Sequence, residues 1–328
     1  MGLAVHRHWP VLSALFCLAA CTASHAPRGK PELWRDPGNV AAFDFTYGAH
    51  GREFMPRPGF RFEREDLRGT NPKVFITDRA GREWRVKGGR EVRSESFSTR
   101  LASALGYYAE PTFFVPAGHM DGVANLGRAS GFIQKNGDFT WASFERFEPP
   151  RRFLEGEAWA WSGNSFDGTP QMNGLKILMM LLSNWDNKDA RNSIRGSNLG
   201  ILEDGSKWIY FVDDWGQSLG RWGDSYSRTS AFDCAGFSKQ SLEFVSSASG
   251  GEVRFGYRGQ HTTDFTSGIR ASDVAWLMRY LGRITDEQLR AGLVASGATT
   301  EETGCFTAAI RDRIEQLRRP RWRMPHTR

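Results

Sequence analysis

Hydrophobic and polar residues alternate in short runs through the first half of the chain. From Phe43 to about Pro149 the runs are interrupted by Gly, Pro and Asn, which is typical of β-strands joined by turns. Residues 73–78 and 83–87 flank the turn sequence Arg79-Ala80-Gly81, which predicts a β-hairpin. The other predicted elements of this half are one helix and two strands, over residues 92–107, 111–116 and 129–135.

The second half has a different pattern, dominated by apolar residues at helical spacing. A dense apolar run from Asn173 to Trp185 predicts a buried helix, and Lys207–Val212 predicts a strand. Later helices are predicted over residues 271–281, 285–296 and 305–318, with Ser272 and Thr285 as N-caps. The pattern therefore predicts an α+β protein with two lobes, a β-rich lobe over residues 41–150 and a mainly helical lobe over residues 151–328.

Two acidic clusters follow the predicted buried helix and the Lys207–Val212 strand. The first has the pattern D-x-K-x-x-x-N, formed by Asp186, Lys188 and Asn192, and the second is the tripeptide Asp214-Trp215-Gly216. In kinase-type phosphoryl transfer, one carboxylate accepts the proton of the incoming hydroxyl, and a downstream amide and a second carboxylate hold metal ions. The asparagine here lies six residues after the aspartate, one more than in the usual kinase pattern.

Further residues with suitable chemistry occur upstream in the order that a kinase requires. Lys87 ends a predicted strand, and Glu95 lies in the first turn of the following helix, so the two side chains can form an ion pair across a cleft. The turn before the first hairpin strand contains Thr70 and Asn71, whose side chains and backbone N–H groups can bind phosphate oxygens. That turn has one glycine and does not match G-x-G-x-x-G.

Taken together, these motifs resemble the protein-kinase-like superfamily, in particular the HipA-like kinases and the atypical kinases of the secretory pathway. The resemblance covers roughly residues 60–220. It implies a nucleotide such as ATP, with Mg²⁺ or Mn²⁺, and an acceptor that is either a protein or a small molecule. It implies the following roles: Lys87 with Thr70 and Asn71 on the phosphates, Glu95 paired with Lys87, Asp186 as base with Lys188 beside it, and Asp214 and Asn192 on the metal.

Other interpretations of the same residues remain open at the level of sequence. The superfamily includes AMP-transferring and catalytically inactive members. Asp189 and Asp213 are alternatives to Asp186 and Asp214 as the working carboxylates, and the acidic residues suit a non-catalytic cation site as well. A glycoside hydrolase or carbohydrate-binding protein would use two carboxylates and aromatic platforms, for which the candidates are Trp185, Trp208, Trp215 and Trp222.

The N-terminus predicts export and lipid anchoring. Residues 1–20 contain a short basic region and an apolar run too short to span a membrane, and they end in Leu18-Ala19-Ala20 before Cys21. This resembles the processing site of bacterial lipoproteins, so Cys21 is the expected lipidated residue, with residues 21–40 as a tether. The expected location is the bacterial envelope, with the outer membrane on its periplasmic side favoured over the inner membrane.

Cysteine content and charge add two further expectations. Cys234 and Cys305 remain after processing, and in an oxidising compartment they can form a disulfide if their side chains meet, which the sequence leaves open. The formal net charge is +6, and the arginines are spread along the chain apart from a basic tail at residues 318–323. No nucleic-acid-binding motif accompanies this charge, so a nucleic-acid partner is not predicted.

Overall fold

The structure is a computed structural model that describes residues 29–69, 71–146, 150–222 and 231–318, with the side chains of residues 193–195 excepted. Eleven strands lie within these residues: β1 Lys30–Glu32, β2 Phe60–Asp66, β3 Lys73–Thr77, β4 Glu83–Gly88, β5 Thr112–Asp121, β6 Asp138–Glu145, β7 Arg152–Phe153, β8 Leu199–Asp204, β9 Lys207–Val212, β10 Val245–Ser249 and β11 Glu252–Phe255. The same residues form seven α-helices: α1 Val92–Ala104, α2 Pro170–Leu181, α3 Cys234–Ser241, α4 Thr262–Thr266, α5 Ala271–Leu281, α6 Asp286–Ala295 and α7 Thr300–Arg318.

The first lobe is a closed five-stranded barrel with the strand order β2-β3-β4-β6-β5. All neighbouring strands are antiparallel except β2 and β5, which pair in parallel and close the barrel. Large side chains that alternate along the strands fill the interior, among them Phe60, Trp84 and Phe144, each 3% exposed or less. The predicted hairpin is confirmed, with Lys73 opposite Lys87 in the β3–β4 register.

Helix α1 lies between the barrel and the helical lobe and is buried on nearly every side. Its small polar residues allow this close packing, because Ser94, Ser96 and Ser98 occupy little volume and are completely buried. At its N-terminal end, Arg93 Nη1 lies 2.8 Å from Glu302 Oε2 in α7. Because both lobes contact α1, the helix has a fixed position relative to each of them.

The second lobe is built around α2, whose apolar residues are almost all buried. Helices α5 and α7 pack around the same core, and the sheet β1-β9-β8-β7 covers another side. Strand β1 pairs in parallel with β9, with Pro31 opposite Trp208, so part of the segment assigned to the tether belongs to the folded unit. The two-lobed α+β plan predicted from the sequence is confirmed.

Two local predictions were wrong. Residues 129–135 do not form a strand. A short 3-10 helix occupies Arg128–Gly131, and of the residues that follow it only Ile133 pairs with the barrel, through an isolated bridge to Phe139. Ser272 is not an N-cap, because α5 begins at Ala271 and its N-cap is Arg270, two residues before Ser272. The prediction for Thr285 is confirmed, since its hydroxyl accepts the N–H of Gln288 at the start of α6.

The structure joins Cys234 at the start of α3 to Cys305 in α7 by a disulfide, with Cα atoms 6.2 Å apart. Among the described residues no helix combines the length and apolar character that crossing a membrane requires. The predicted signal segment, Cys21, Thr70 and most of the basic tail lie outside the described residues.

Candidate functional site

Lys87 belongs to a buried ion-pair cluster between the barrel and α1. In β4, Trp84 and Val86 face the barrel interior, so the alternation of side chains turns Lys87 away from it. The Lys87 ammonium lies 2.6 Å from Glu95 Oε1 and 2.9 Å from Glu145 Oε1. The structure therefore brings together the strand lysine and the helix glutamate that the sequence singled out.

Burial and the interactions between these charged groups together determine their pKa values. Burial alone would lower the pKa of Lys87, but the carboxylates of Glu145 and Glu95 outweigh burial and hold it well above its usual value. Burial and the adjacent Glu145 raise the pKa of Glu95 well above its usual range. Burial also opposes the ionisation of Glu145, yet Lys87 and Arg85 together lower its pKa to about 2. Lys87 is consequently a cation at neutral pH.

Arg85 forms a second charged group beside Lys87 that sequence reasoning missed. Its Nη2 lies 2.6 Å from Glu110 Oε2 and 3.4 Å from Asp213 Oδ1, and its Nε donates to Glu145 at 2.8 Å. Burial raises the pKa of Glu110 to about 8, although Arg85 opposes that shift. The alternation in β4 was the available signal, because it places Arg85 on the same face as Lys87.

The segment after α2 presents Asp186. The chain leaves the helix through Ser183, which has a left-handed backbone with φ of 58°. Asp186 Oδ2 lies 3.2 Å from the Lys188 ammonium, and Asp186 Oδ1 accepts a hydrogen bond of 2.5 Å from Gln260 Nε2. Burial raises the pKa of Asp186, and Asp214 adds to this effect while Lys188 opposes it.

Backbone and side-chain hydrogen bonds hold the Asp186 and Asp214 segments together. Asn184 Nδ2 donates to the carbonyl of Asp214 at 3.1 Å. Asn198 lies between the two segments: its N–H donates to the carbonyl of Lys188, and its own carbonyl accepts the N–H of Asp213. These contacts bring the two acidic clusters to one cleft.

Asp214 faces Glu91, which lies immediately before α1. Asp214 Oδ1 accepts the N–H of Gly216 at 2.8 Å. A Cβ atom on Gly216 would lie only 2.7 Å from Glu91 Oε2, so glycine is required for this approach. Glu91 accepts hydrogen bonds from Asn71, at 2.5 Å, and from Gln217. Burial, with Asp214 nearby, raises the pKa of Glu91 to about 7.

These groups line a cavity of about 160 Å³. The groups that line it include the ammonium groups of Lys87 and Lys188, the carboxylates of Glu91, Asp186 and Asp214, and the amides of Asn71 and Asn198. A larger cavity of about 650 Å³ shares Lys73, Arg85 and Asp213 with it. Phe75 from the barrel and Phe153 from the second lobe line that larger cavity. The two cavities therefore form one cleft, and its larger part is lined mainly by charged side chains, with these two aromatic rings among them.

Asn192 is not among the residues that line this cleft, and its role as a metal ligand stays a prediction. Its Oδ1 accepts the N–H of Asp189 at 3.0 Å and lies 2.6 Å from His261 Nε2. Asn192 therefore shapes the loop. Asn198 lines the cleft, and its Nδ2 donates to the carbonyl of Asp186. The extra residue between the aspartate and the asparagine was the available signal for this difference.

The alternative carboxylates Asp189 and Asp213 have separate environments. Asp189 is completely buried and accepts hydrogen bonds from the Trp161 N–H and the Arg191 guanidinium. Its oxygen also lies near His261 and Asp264 in a group with metal-ligand spacing. However, Arg191 Nη2 lies 2.5 Å from Asp189 and 2.6 Å from Asp264, so a cation already neutralises this group. Of the two alternatives, only Asp213 lines the cleft.

The aromatic platforms expected of a carbohydrate site are not supported by the structure. The exposed fractions of the four candidate tryptophans are 9% or less: Trp185, Trp208, Trp215 and Trp222. Trp215 in the D-W-G tripeptide is 1% exposed, and its Nε1 donates to the Val212 carbonyl. A sugar ring needs an accessible aromatic face, so these side chains serve the core instead.

The cleft has the donor set that a divalent cation such as Mg²⁺ or Mn²⁺ prefers. Such hard cations bind carboxylate and amide oxygens, and Asp214, Glu91 and Asn198 supply these among the residues that line the cavity. The raised pKa of Glu91 reflects in part the nearby Asp214, and a bound cation would relieve this repulsion. The residues therefore fit the metal that the kinase-type motifs imply.

Comparison of the sequence with protein-family models gives no match, and comparison with curated proteins gives none. Among solved structures, the chain is similar to the crystal structure of the Golgi casein kinase with Mn and ADP bound and to a second structure of that kinase. Both have a TM-score of 0.42 and 11% sequence identity over 79% of this chain, and they are covered over 73% and 72% of their own lengths.

Proposed function

We propose that this protein is a metal-dependent phosphotransferase that moves the terminal phosphoryl group of a nucleotide such as ATP to a hydroxyl acceptor. The observation that carries the proposal is the shared cleft. The Lys87–Glu95 ion pair of 2.6 Å, the Asp186–Lys188 pair and Asp214 come from separate parts of the chain and surround one cavity. Phosphoryl transfer depends on positioning and on charge stabilisation, and this arrangement supplies both.

The two cavities of the cleft suit the two parts of a nucleotide: the smaller one suits the phosphates and the larger one suits the base. Lys87 and Asn71 would contact phosphate oxygens, and Asp214, Glu91 and Asn198 would hold the cation. The cation, when bound, neutralises charge that develops on the phosphate oxygens. The base would lie in the larger cavity, where Phe75 and Phe153 are the aromatic side chains of the lining and the Arg64 guanidinium stacks on Phe75, 3.9 Å from its ring centroid.

Asp186 would act as the general base. Its raised pKa brings its proton affinity closer to neutral pH, where a base is most effective. During transfer, the acceptor oxygen forms a bond to the terminal phosphorus, the hydroxyl proton passes to Asp186, and the bond between that phosphorus and the leaving nucleoside diphosphate, ADP, breaks. Lys188, 3.2 Å from Asp186, would place a positive charge beside the moving phosphoryl group.

Substitution of the base tests this proposal. Asp186→Asn should lower turnover by about 10²–10⁴-fold while nucleotide affinity stays near that of the parent, because the base acts on the acceptor. Transfer of the labelled terminal phosphate and release of ADP would be measured for the parent and the variant. Release of diphosphate in place of ADP would identify AMP transfer. Nucleotide binding without turnover in the parent would indicate an inactive kinase-like protein.

We also propose that the protein acts outside the cytoplasm, anchored to the bacterial envelope through lipidated Cys21. The signal-like segment supports export, and the disulfide between Cys234 and Cys305 is typical of oxidising compartments. Cys21→Ser should release the protein from the membrane fraction, because no other anchoring feature was identified in the sequence. Ala19→Ser, which keeps the cysteine and a small residue before it, is the matched control. Membrane retention of Cys21→Ser would contradict the anchor.

A further inference from the structure

The segment of residues 256–261, between β11 and α4, lies directly against the catalytic loop, residues 184–192, which carries the proposed base Asp186. The Tyr257 hydroxyl donates to the carbonyl of Asn184 at 2.5 Å, and the N–H of Gln260 donates to the carbonyl of Trp185 at 3.0 Å. Gly259 makes this approach feasible, because a Cβ atom there would lie 2.9 Å from the carbonyl oxygen of Trp185. The backbone of Gln260 is thus fixed next to the residue that precedes Asp186.

The side chain of Gln260 contacts the proposed base itself. Its Nε2 donates to Asp186 Oδ1 at 2.5 Å, while Lys188 occupies the other oxygen, Oδ2, at 3.2 Å. A carboxylate accepts up to about four hydrogen bonds, so acceptor capacity remains for a substrate hydroxyl. Donors on both oxygens restrict rotation of the carboxylate and thereby define its plane.

The next residues contact the end of the same loop, after Asp186. His261 adopts a left-handed backbone with φ of 51°, and its Nε2 lies 2.6 Å from Asn192 Oδ1. Asp264 in α4 lies 2.6 Å from the Arg191 guanidinium. A left-handed non-glycine residue has an energetic cost and persists where its surroundings require it. The segment is therefore attached to the catalytic loop both before and after Asp186.

We propose that Gln260 is a positioning residue for phosphoryl transfer, which aims the Asp186 carboxylate at the acceptor hydroxyl. The inference rests on the proposed function and extends it to a segment far along the chain from the kinase-type motifs. Gln260 acts through Asp186 and does not contact the nucleotide. Removing its amide should therefore reduce turnover without weakening nucleotide binding, since misalignment of a catalytic group slows the chemical step.

Two variants of equal side-chain length test the role of the amide. Gln260→Met removes the donor, and kcat should fall about tenfold with an unchanged KM for the nucleotide, because a hydrogen bond to a charged group is lost. Gln260→Glu replaces the donor by a carboxylate that repels Asp186, and kcat should fall further. Gln288→Met is the control, because Gln288 likewise donates to backbone carbonyls, those of Val40 and Phe43, but lies outside the cleft. It should keep the kcat of the parent.

A double-variant comparison separates positioning from general structural damage. In the Asp186→Asn background, Gln260→Met should produce no further loss of turnover, because the group it positions is already disabled. An equal tenfold loss in both backgrounds, or an unchanged kcat in Gln260→Met, would overturn the inference. A parent without turnover on any acceptor would contradict the proposed function and this inference with it. A working parent with an unaffected Gln260→Met contradicts the inference alone.

Discussion

At the scale of single residues, the asparagine that lines the cleft differs from the one that the motif indicates. Asn198→Ala should weaken Mn²⁺-dependent nucleotide binding at least about tenfold, because one side-chain oxygen of the proposed cation site is lost. Asn192→Ala should keep that affinity and lower the free energy of unfolding by about 1 kcal/mol, because it removes the hydrogen bond to the Asp189 N–H. Calorimetric titration and denaturant unfolding of both variants measure these effects. If Asn192→Ala loses metal-dependent nucleotide affinity and Asn198→Ala does not, Asn192 is the metal ligand, as the D-x-K-x-x-x-N motif predicts.

A second residue-scale prediction concerns Asp78, which holds the turn of the hairpin that carries Lys87. Its carboxylate accepts hydrogen bonds from the Ala80 and Arg82 N–H groups, the Trp84 indole and the Arg82 guanidinium. Burial raises its pKa, but the hydrogen bonds from Arg82 outweigh burial and lower it from 3.8 to about 2. A carboxyl group with a lowered folded-state pKa stabilises the protein at pH values above its unfolded-state pKa.

This contribution should appear in the pH dependence of stability. Asp78→Asn should reduce the free energy of unfolding by about 2 kcal/mol at pH 7. The difference from the parent should shrink as the pH falls from about 4 to about 2, because the parent's carboxylate becomes protonated there. Denaturant unfolding of both proteins across this range measures it. A difference that stays constant with pH would show that the charge of Asp78 does not provide the stabilisation.

At the scale of elements, the disulfide joins α3 to α7, and α7 in turn contacts the residues that lead from α2 into the catalytic loop. Arg313 in α7 is completely buried and donates to the carbonyl of Leu181 at 2.7 Å and to Ser183 Oγ at 2.8 Å. These contacts link α7 to the end of α2, just before Asp186. The disulfide therefore restrains a helix that supports the catalytic loop.

Removal of the disulfide should lower stability considerably. Cys234 and Cys305 are separated by 71 residues, and closing a loop of this length stabilises a fold by about 4 kcal/mol. The double variant Cys234→Ser with Cys305→Ser should lose this amount in denaturant unfolding, and reductant should destabilise the parent by a similar amount. Reductant should leave the double variant unchanged. Equal stability of parent and variant under oxidising conditions would contradict a stabilising disulfide.

Local patterns predicted those elements whose determinants lie close together in sequence. The β3–β4 hairpin followed from its turn residues, and α2 followed from a continuous apolar run. Strand β6 was missed because it is defined by its pairing with β4 and β5, which are distant in sequence. The same limit applies to the site. The order of Lys87, Glu95, Asp186 and Asp214 was visible, whereas Arg85, Asn198 and Gln260 became apparent only through contacts made by the folded chain.

At the scale of the whole molecule, α1 is held by both lobes. Arg93 contacts α7, and Gly292 in α6 lies so close to Phe97 that a Cβ atom would approach it to 3.3 Å. Because α1 carries Glu95, this packing fixes the position of Glu95 beside Lys87, 2.6 Å from its ammonium group. We therefore expect nucleotide binding to require little rearrangement of this side of the cleft.

Calorimetric titration of the protein with ATP and Mn²⁺ most directly tests the central claim, that the cleft binds a nucleotide together with a metal ion held by Asp214. The parent should bind ATP only with the metal, Asp214→Asn should lose this binding, and Asp213→Asn should retain most of it, because Asp213 faces Arg85 at 3.4 Å. The melting temperature should rise with the nucleotide only for proteins that bind it. Equal metal-dependent binding by the parent and Asp214→Asn, or no binding by the folded parent, would contradict the assignment of this cleft.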